Sequence, residues 1–155
     1  MAMNATDKVV EIAKKQCKTH GVRPTSKRIN IFSLLLKSKK AASAYELVDS
    51  YKQVFNKPVP VMTVYRVLEF LQSKNLVHKL DTANKFVACT HMDCDHMHHA
   101  SQFLICKQCQ TVKELHMSLD QINEIKQTIE QTGFHLLNSQ IEMNCICEVC
   151  YADAQ

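Results

Sequence analysis

"VMTVYRVLEFLQSKNLVHKLDTANKFVAC", residues 61–89, decides how the first half of this chain folds. At about 100° per residue, Val64, Val67, Leu68 and Leu71 gather on one side of a helix, and Met62, Tyr65, Arg66 and Glu69 form a stripe on the other. Pro58 and Pro60 interrupt the chain just before this helix. "LVHKL" and "KFVAC" follow as two short strand-like runs joined through Asp81–Asn84, which predicts a hairpin. A helix with one polar face running straight into a hairpin is how a winged helix-turn-helix ends.

The residues upstream supply the rest of such a module. Val9, Val10, Ala13 and Cys17 recur at helical spacing, with lysines on the other side. In "RPTSKRINIFSLLL", Thr25 or Ser26 can cap a second helix that buries Ile29, Phe32, Leu35 and Leu36. "SAYE", residues 43–46, is a capping box before a third helix with Leu47, Val48, Tyr51 and Phe55 on its apolar face. In a winged helix-turn-helix of this order the fourth helix enters the major groove, where Arg66 can pair with a guanine edge. An amphipathic helix whose polar stripe only meets water fits the same pattern.

Charge divides the chain in two. Residues 1–82 hold 15 Lys+Arg against 6 Asp+Glu, a net +9, and residues 83–155 hold 4 against 9, a net −5. Seven of the eight cysteines and six of the eight histidines follow residue 82, so the acidic half is also the ligand-rich half. Two domains with separate tasks are expected, the basic one suited to a polyanion. No run approaches the roughly 20 apolar residues of a membrane span. "MAMNATDKVVEIAKKQ" has no apolar run behind a basic head, so no secretory signal is read and the cytoplasm is the expected compartment. There, paired cysteines point to metal before disulfides.

Cys106 and Cys109 form one Cys-x-x-C knuckle, and Cys147 and Cys150 a second. Two such knuckles suit a tetrahedral zinc thiolate with no open position, which is a structural site. The long gap between them must hold a folded unit. "TVKEL" reads as a strand, and Ser118 with Gln121 as a further capping box. Leu119, Ile122, Ile125 and Ile129 read as a helix closed by Gly133, and "FHLLNSQIEM" as a strand returning to the second knuckle. A zinc ion would staple the end of this small α/β unit to its beginning. Outside the knuckles stand His78, Cys89, His99 and Glu114, a mixed shell in which thiolate and imidazole favour zinc over iron or manganese. Each also has an ordinary role open to it: a buried thiol for Cys89, a surface strand residue for Glu114, a solvated imidazole for His78.

"VRPTSKR", "SAYELVD", "TVYRVLEFL", "LVHKLDTANKFVAC", "FLICKQCQTVKE" and "CICEVC" together resemble the ferric uptake regulator family and, within it, the zinc uptake regulator branch. The resemblance spans nearly the whole chain. It implies an α+β protein with an N-terminal winged helix-turn-helix DNA-binding domain over 1–89, a His/Cys-rich hinge over 90–100 and a C-terminal α/β dimerisation domain over 101–155. By position it implies structural zinc at Cys106, Cys109, Cys147 and Cys150, and regulatory zinc at His78, Cys89, His99 and Glu114, two ions per monomer. Arg23, Tyr45, Tyr65 and Arg66 fall at DNA-contacting positions, Arg23 near the minor groove. The expected activity is zinc-responsive repression of zinc uptake genes by a homodimer on palindromic operator DNA, with no catalysis, no small-molecule substrate and no membrane.

Some residues depart from the family pattern. Iron-type members carry "HHHDH" before the first knuckle; here Ser101, Gln102 and Phe103 precede "LIC", and Ser139 replaces a later histidine. The connector "THMDCDHMHH" makes His91, Cys94, His96 and His98 candidates to replace His99 or to hold an extra ion. Cys145 is surplus to the knuckles, and Gln110 replaces a glycine often found after the first. A family member answering to iron, manganese or peroxide is the alternative, which Cys89 argues against. A zinc hydrolase is the more distant one, and it would need an open coordination position and a substrate pocket.

Overall fold

A computed structural model describes residues 5–90 and 101–154, with side chains from residue 8 onward. Its contacts divide the chain into two compact units, Met1–Asp93 and Cys94–Gln155.

The first unit contains four helices and a hairpin: α1 (Ala5–Thr19), α2 (Ser26–Lys37), α3 (Ala44–Phe55), α4 (Val61–Ser73), β1 (Val77–Leu80) and β2 (Lys85–Ala88). Thr25, not Ser26, caps α2, its side chain accepting from the Arg28 N–H. Ser43 and Glu46 complete the capping box of α3. Pro60 sits at the cap of α4, where its missing N–H costs no intrahelical bond. The helices converge on one core that includes Ala13, Phe32, Leu35, Leu47, Val64, Leu68, Leu71 and Leu76. The hairpin pairs antiparallel from Val77↔Ala88 to Leu80↔Lys85. Ala42, just before α3, adds a bridge to Phe86 through two backbone hydrogen bonds of 2.8 and 2.9 Å. This ties the wing to the entrance of α3, and the Lys85–Glu46 ion pair at 3.1 Å repeats the tie with side chains. The architecture is the expected winged helix.

The Ser43 N–H, and after it the Lys85 ammonium and the Ser43 hydroxyl, hold the Glu46 carboxyl below its usual range. A carboxylate depressed by folding contributes stability above its unfolded pKa, and that contribution is lost as pH falls through the folded value. Ser43→Ala is therefore expected to cost about 1 kcal/mol at neutral pH. Glu46→Gln should be less stable than wild type at pH 7, the gap closing as the medium is acidified through the carboxylate range. Urea unfolding followed by circular dichroism at several pH values measures both.

The second unit contains β3 (Ser101–Cys106), β4 (Val112–His116), α5 (Leu119–Glu130), β5 (Ile141–Cys145) and α6 (Glu148–Asp153). The sheet order is β4-β3-β5, with β3 antiparallel to β4 and parallel to β5. Ser118 and Gln121 form the capping box of α5. That helix ends at Glu130, and Gly133, at φ +85°, turns the chain away from it. One expectation is corrected. "FHLLNSQIEM" is not a strand throughout, because only Ile141–Cys145 pairs, opposite Gln102–Cys106. Gln140 and the residues before it precede this pairing. The Gln102 Nε2 donates to the Ser139 carbonyl there at 3.0 Å in place of a backbone ladder.

Candidate metal centre and nucleic-acid interface

Parallel pairing of β3 with β5 sets Cys106 directly opposite Cys145, and so brings the two knuckles to the same end of the sheet. The first knuckle turns tightly. The Gln110 N–H donates to the Cys106 carbonyl at 3.0 Å, and Gln110 takes φ +62°, the left-handed conformation that glycine adopts without cost. The second knuckle is fixed by the Lys107 N–H donating to the Cys145 carbonyl at 2.9 Å and by the Cys147 N–H pointing at the Cys106 sulfur at 3.4 Å. As a result the sulfurs of Cys106, Cys109, Cys147 and Cys150 all lie within 4.8 Å of one another, with 3.6 Å between Cys109 and Cys147. Zinc–sulfur bonds of about 2.3 Å in a tetrahedron place neighbouring sulfurs about 3.8 Å apart, far beyond the roughly 2.05 Å of a disulfide. The donor set fits zinc.

Charge in this cluster favours a cation. Backbone N–H groups of Cys109 and Cys147 lower the Cys106 thiol to about 6. The Thr111 hydroxyl, 3.2 Å away, and its N–H hold Cys109 below the usual thiol range. Cys150 is pushed up to about 12, first by the Cys147 sulfur beside it, then by burial and by the Cys109 and Cys106 sulfurs. Some of these sulfurs carry charge easily, and their neighbour resists it. A divalent ion at the centre allows all four to be thiolates together. Sequence reasoning missed Thr111 as a hydrogen-bond partner, although a hydroxyl two residues past a knuckle cysteine was its signal.

The remaining ligand candidates fall in both units. In the first, His78 lies on β1 opposite Val87, and the Cys89 N–H just after β2 donates to the Leu76 carbonyl at 2.9 Å. That register puts His78 and Cys89 on one face of the hairpin as diagonal neighbours, and their ligating atoms lie within 4.8 Å of each other. Cys89 is buried and His78 half-buried. In the second unit, Glu114 on β4 is a buried carboxylate that accepts from the Ser101 hydroxyl at 2.8 Å. Ser101, which departs from the iron-type sequence pattern, holds Glu114. His91, Cys94, His96, His98 and His99 lie outside the described residues.

Of the four residues that the resemblance assigns to DNA, Arg23, Tyr45 and Arg66 are exposed on the first unit and Tyr65 packs partly against its core. The buried face of α4 is Val64, Val67, Leu68 and Leu71, as the periodicity required. Arg66 and Met62 are exposed on the other face, with Tyr65 half-buried. Tyr45 projects from the first turn of α3 at 66% exposure. Arg23, also exposed, occupies the short loop between α1 and α2. Among the described residues no helix is long and apolar enough to cross a membrane.

Residues 19–144 match the model of the ferric uptake regulator family. The zinc uptake regulation protein of Escherichia coli (strain K12) is 32% identical over 151 residues, 97% of this chain and 85% of that protein. A solved structure of a zinc uptake regulator complexed with zinc and DNA superposes with a TM-score of 0.77 at 30% identity, covering 98% of this chain and 99% of that one. A holo structure named XcZur gives 0.73 at 32% identity, covering 94% and 98%.

Proposed function

The chain belongs to the ferric uptake regulator family, and from that premise we propose that it is a zinc-responsive transcriptional repressor of zinc uptake genes. It binds a palindromic operator as a zinc-loaded homodimer in the cytoplasm and catalyses no reaction. The observation that carries this reading is the pairing of His78 with Cys89 on one face of the wing hairpin. A metal-ligating pair built into a DNA-reading module ties metal occupancy to the placement of that module. The relatives named for zinc uptake, and the one solved with zinc and DNA, support the same signal and the same partner.

Two ions per monomer are proposed. Cys106, Cys109, Cys147 and Cys150 would hold the structural one, and His78, Cys89, His99 and Glu114 the regulatory one. His91, Cys94, His96 and His98 are the alternative donors from the connector. A thiolate in the regulatory shell favours zinc over iron or manganese. Arg23, Tyr45, Tyr65 and Arg66 are assigned to DNA. Zinc at both sites supplies charge neutralisation and fixed geometry, not a reactive position. The exposure of Leu119, Phe134, Leu137, Ile146 and Val149 supports a second copy as the partner of the C-terminal unit.

The test starts from a duplex enriched out of a randomised pool by the zinc-loaded protein. Its binding should require zinc and should fail when manganese or iron(II) replaces it. Equal binding with those ions moves the signal elsewhere in the family. Arg66→Ala is expected to lose about 1–3 kcal/mol of discrimination per half-site, bringing selected and scrambled duplexes close in affinity. Lys27→Ala, as a phosphate contact, should weaken both alike and lower the salt slope by about one unit. If Arg66→Ala keeps the wild-type ratio between duplexes, α4 is not the reading element.

A further inference from the structure

The loop that carries Arg23 is short and tightly held. Gly21 turns it at φ +65°, and Val22 is buried, its N–H donating to the Cys17 carbonyl at 2.8 Å. Pro24 follows Arg23 and biases it toward an extended backbone. The Arg23 carbonyl accepts twice, from the Thr25 N–H at 3.0 Å and from Arg28 Nη1 at 3.2 Å. Both lone pairs are therefore engaged, while the Arg23 side chain remains exposed.

Arg28 makes a second contact of a different kind. Its guanidinium carbon lies 3.8 Å from the centroid of the Phe70 ring. Phe70 is on α4, four residues after Arg66 and so one turn further along the same side of the helix. A guanidinium can serve both contacts at once because it is planar: one edge donates to a carbonyl while its face covers a ring. An ammonium has no face to stack. Through one half-buried side chain, the loop bearing Arg23 is coupled to the helix bearing Tyr65 and Arg66.

We propose that Arg28 is a positioning residue for DNA recognition, holding the Arg23 loop in register with α4 by its hydrogen bond to the Arg23 carbonyl and its stack on Phe70. The proposal rests on the DNA-binding reading above. Reading a minor groove and the adjacent major groove together requires their two reading elements to keep a fixed spacing. A loop that drifts by an ångström leaves the Arg23 charge near DNA but loses its place in the groove. Arg28 thus acts on specific binding through Arg23, and the attraction of the unit for any polyanion does not depend on it.

The experiment uses the full-length zinc-loaded protein, with the duplex enriched from a randomised pool and a scrambled duplex of equal composition, across a salt series. Arg28→Lys and Arg28→Ala should each weaken the enriched duplex by about tenfold, a difference of about 1.4 kcal/mol. Affinity for the scrambled duplex and the salt slope should stay at wild-type values. Arg23→Ala combined with Arg28→Ala should be no more than about threefold weaker than Arg23→Ala alone, because the two act as a unit. Phe70→Leu keeps the apolar bulk without the ring face, and should reproduce the loss by severalfold even if the Arg28 variants fold poorly. Recovery of full affinity by Arg28→Lys, a salt slope lowered by about one unit in Arg28→Ala, additive effects with Arg23→Ala, or an unchanged Phe70→Leu each overturn the proposal. The first two make Arg28 a simple phosphate contact. Failure of the wild-type protein to enrich any duplex overturns the DNA reading itself, and so is distinguishable from these.

Discussion

Replacing Cys106 with serine is expected to remove one zinc per chain and unfold the C-terminal unit. This unit is poorly equipped to fold by burial alone. Among its described residues only Phe103, Ile105 and Cys106 are buried apolar side chains, and α5 buries none. Units this small with so little core depend on a staple or a partner. A structural zinc site contributes about 10–16 kcal/mol of apparent binding energy at neutral pH, far more than any single packing change offers. Serine keeps the shape at 106 but supplies no thiolate, so three sulfurs and a hydroxyl face the ion. Zinc content should fall by at least one ion per chain, with loss of helical ellipticity and dissociation of the dimer in sedimentation. Cys145→Ser is the matched control. Cys145 sits opposite Cys106 in the sheet but lies outside the four-sulfur cluster, so that variant should keep both ions. Two zinc ions and a native spectrum in Cys106→Ser would remove the four-cysteine assignment.

What was legible in the sequence follows the range of the forces involved. Local signals read correctly because their physics is local: both capping boxes, the buried face of α4 and the hairpin around Asp81–Asn84 depend on residues a few positions apart. The knuckles were readable for the same reason, each being one turn. The error over 134–140 came from pairing, which is not local. Phe134, Leu136 and Leu137 have strand-like character, yet the pairing with β3 takes in only Ile141–Cys145. Leu137 is accordingly fully exposed. The bridge from Ala42 to Phe86 and the stack of Arg28 on Phe70 were illegible for a related reason. Each joins residues more than forty positions apart, and neither leaves a mark in local periodicity. Of the candidate regulatory shell, the residue types announced metal, whereas Ser101 holding Glu114 emerged only from the β3–β4 register.

Cys89→Ser is expected to abolish the zinc dependence of DNA binding while leaving the fold and the four-cysteine zinc in place. The contrast with Cys106 comes from what surrounds each thiol. The backbone of Cys89 is held by its N–H to the Leu76 carbonyl at 2.9 Å, a bond that serine keeps. The wing retains its four-residue register from Val77↔Ala88 to Leu80↔Lys85 and its bridge to Ala42. The core beneath takes in Val77 and Phe86 of the hairpin but neither member of the ligand pair. What is lost is a sulfur able to bind zinc as a thiolate, a ligand that a serine hydroxyl does not replace. With His78 left to face the ion without its neighbour, zinc should no longer favour one placement of the winged helix. Allosteric couplings of this kind are typically about 1–3 kcal/mol, or roughly 5–150-fold in affinity, and they are reciprocal. Wild-type protein should therefore bind the enriched duplex more tightly in zinc than in chelator, and should bind zinc more tightly by the same factor when that duplex is present. Both factors should fall to about one in Cys89→Ser, and His78→Ala should behave alike. Duplex titrations at fixed free zinc, paired with zinc competition with and without duplex, measure the two sides of the cycle. If Cys89→Ser still binds in a zinc-dependent manner, the regulatory ion is held by the connector, and His91, Cys94 and His96 become the positions to replace.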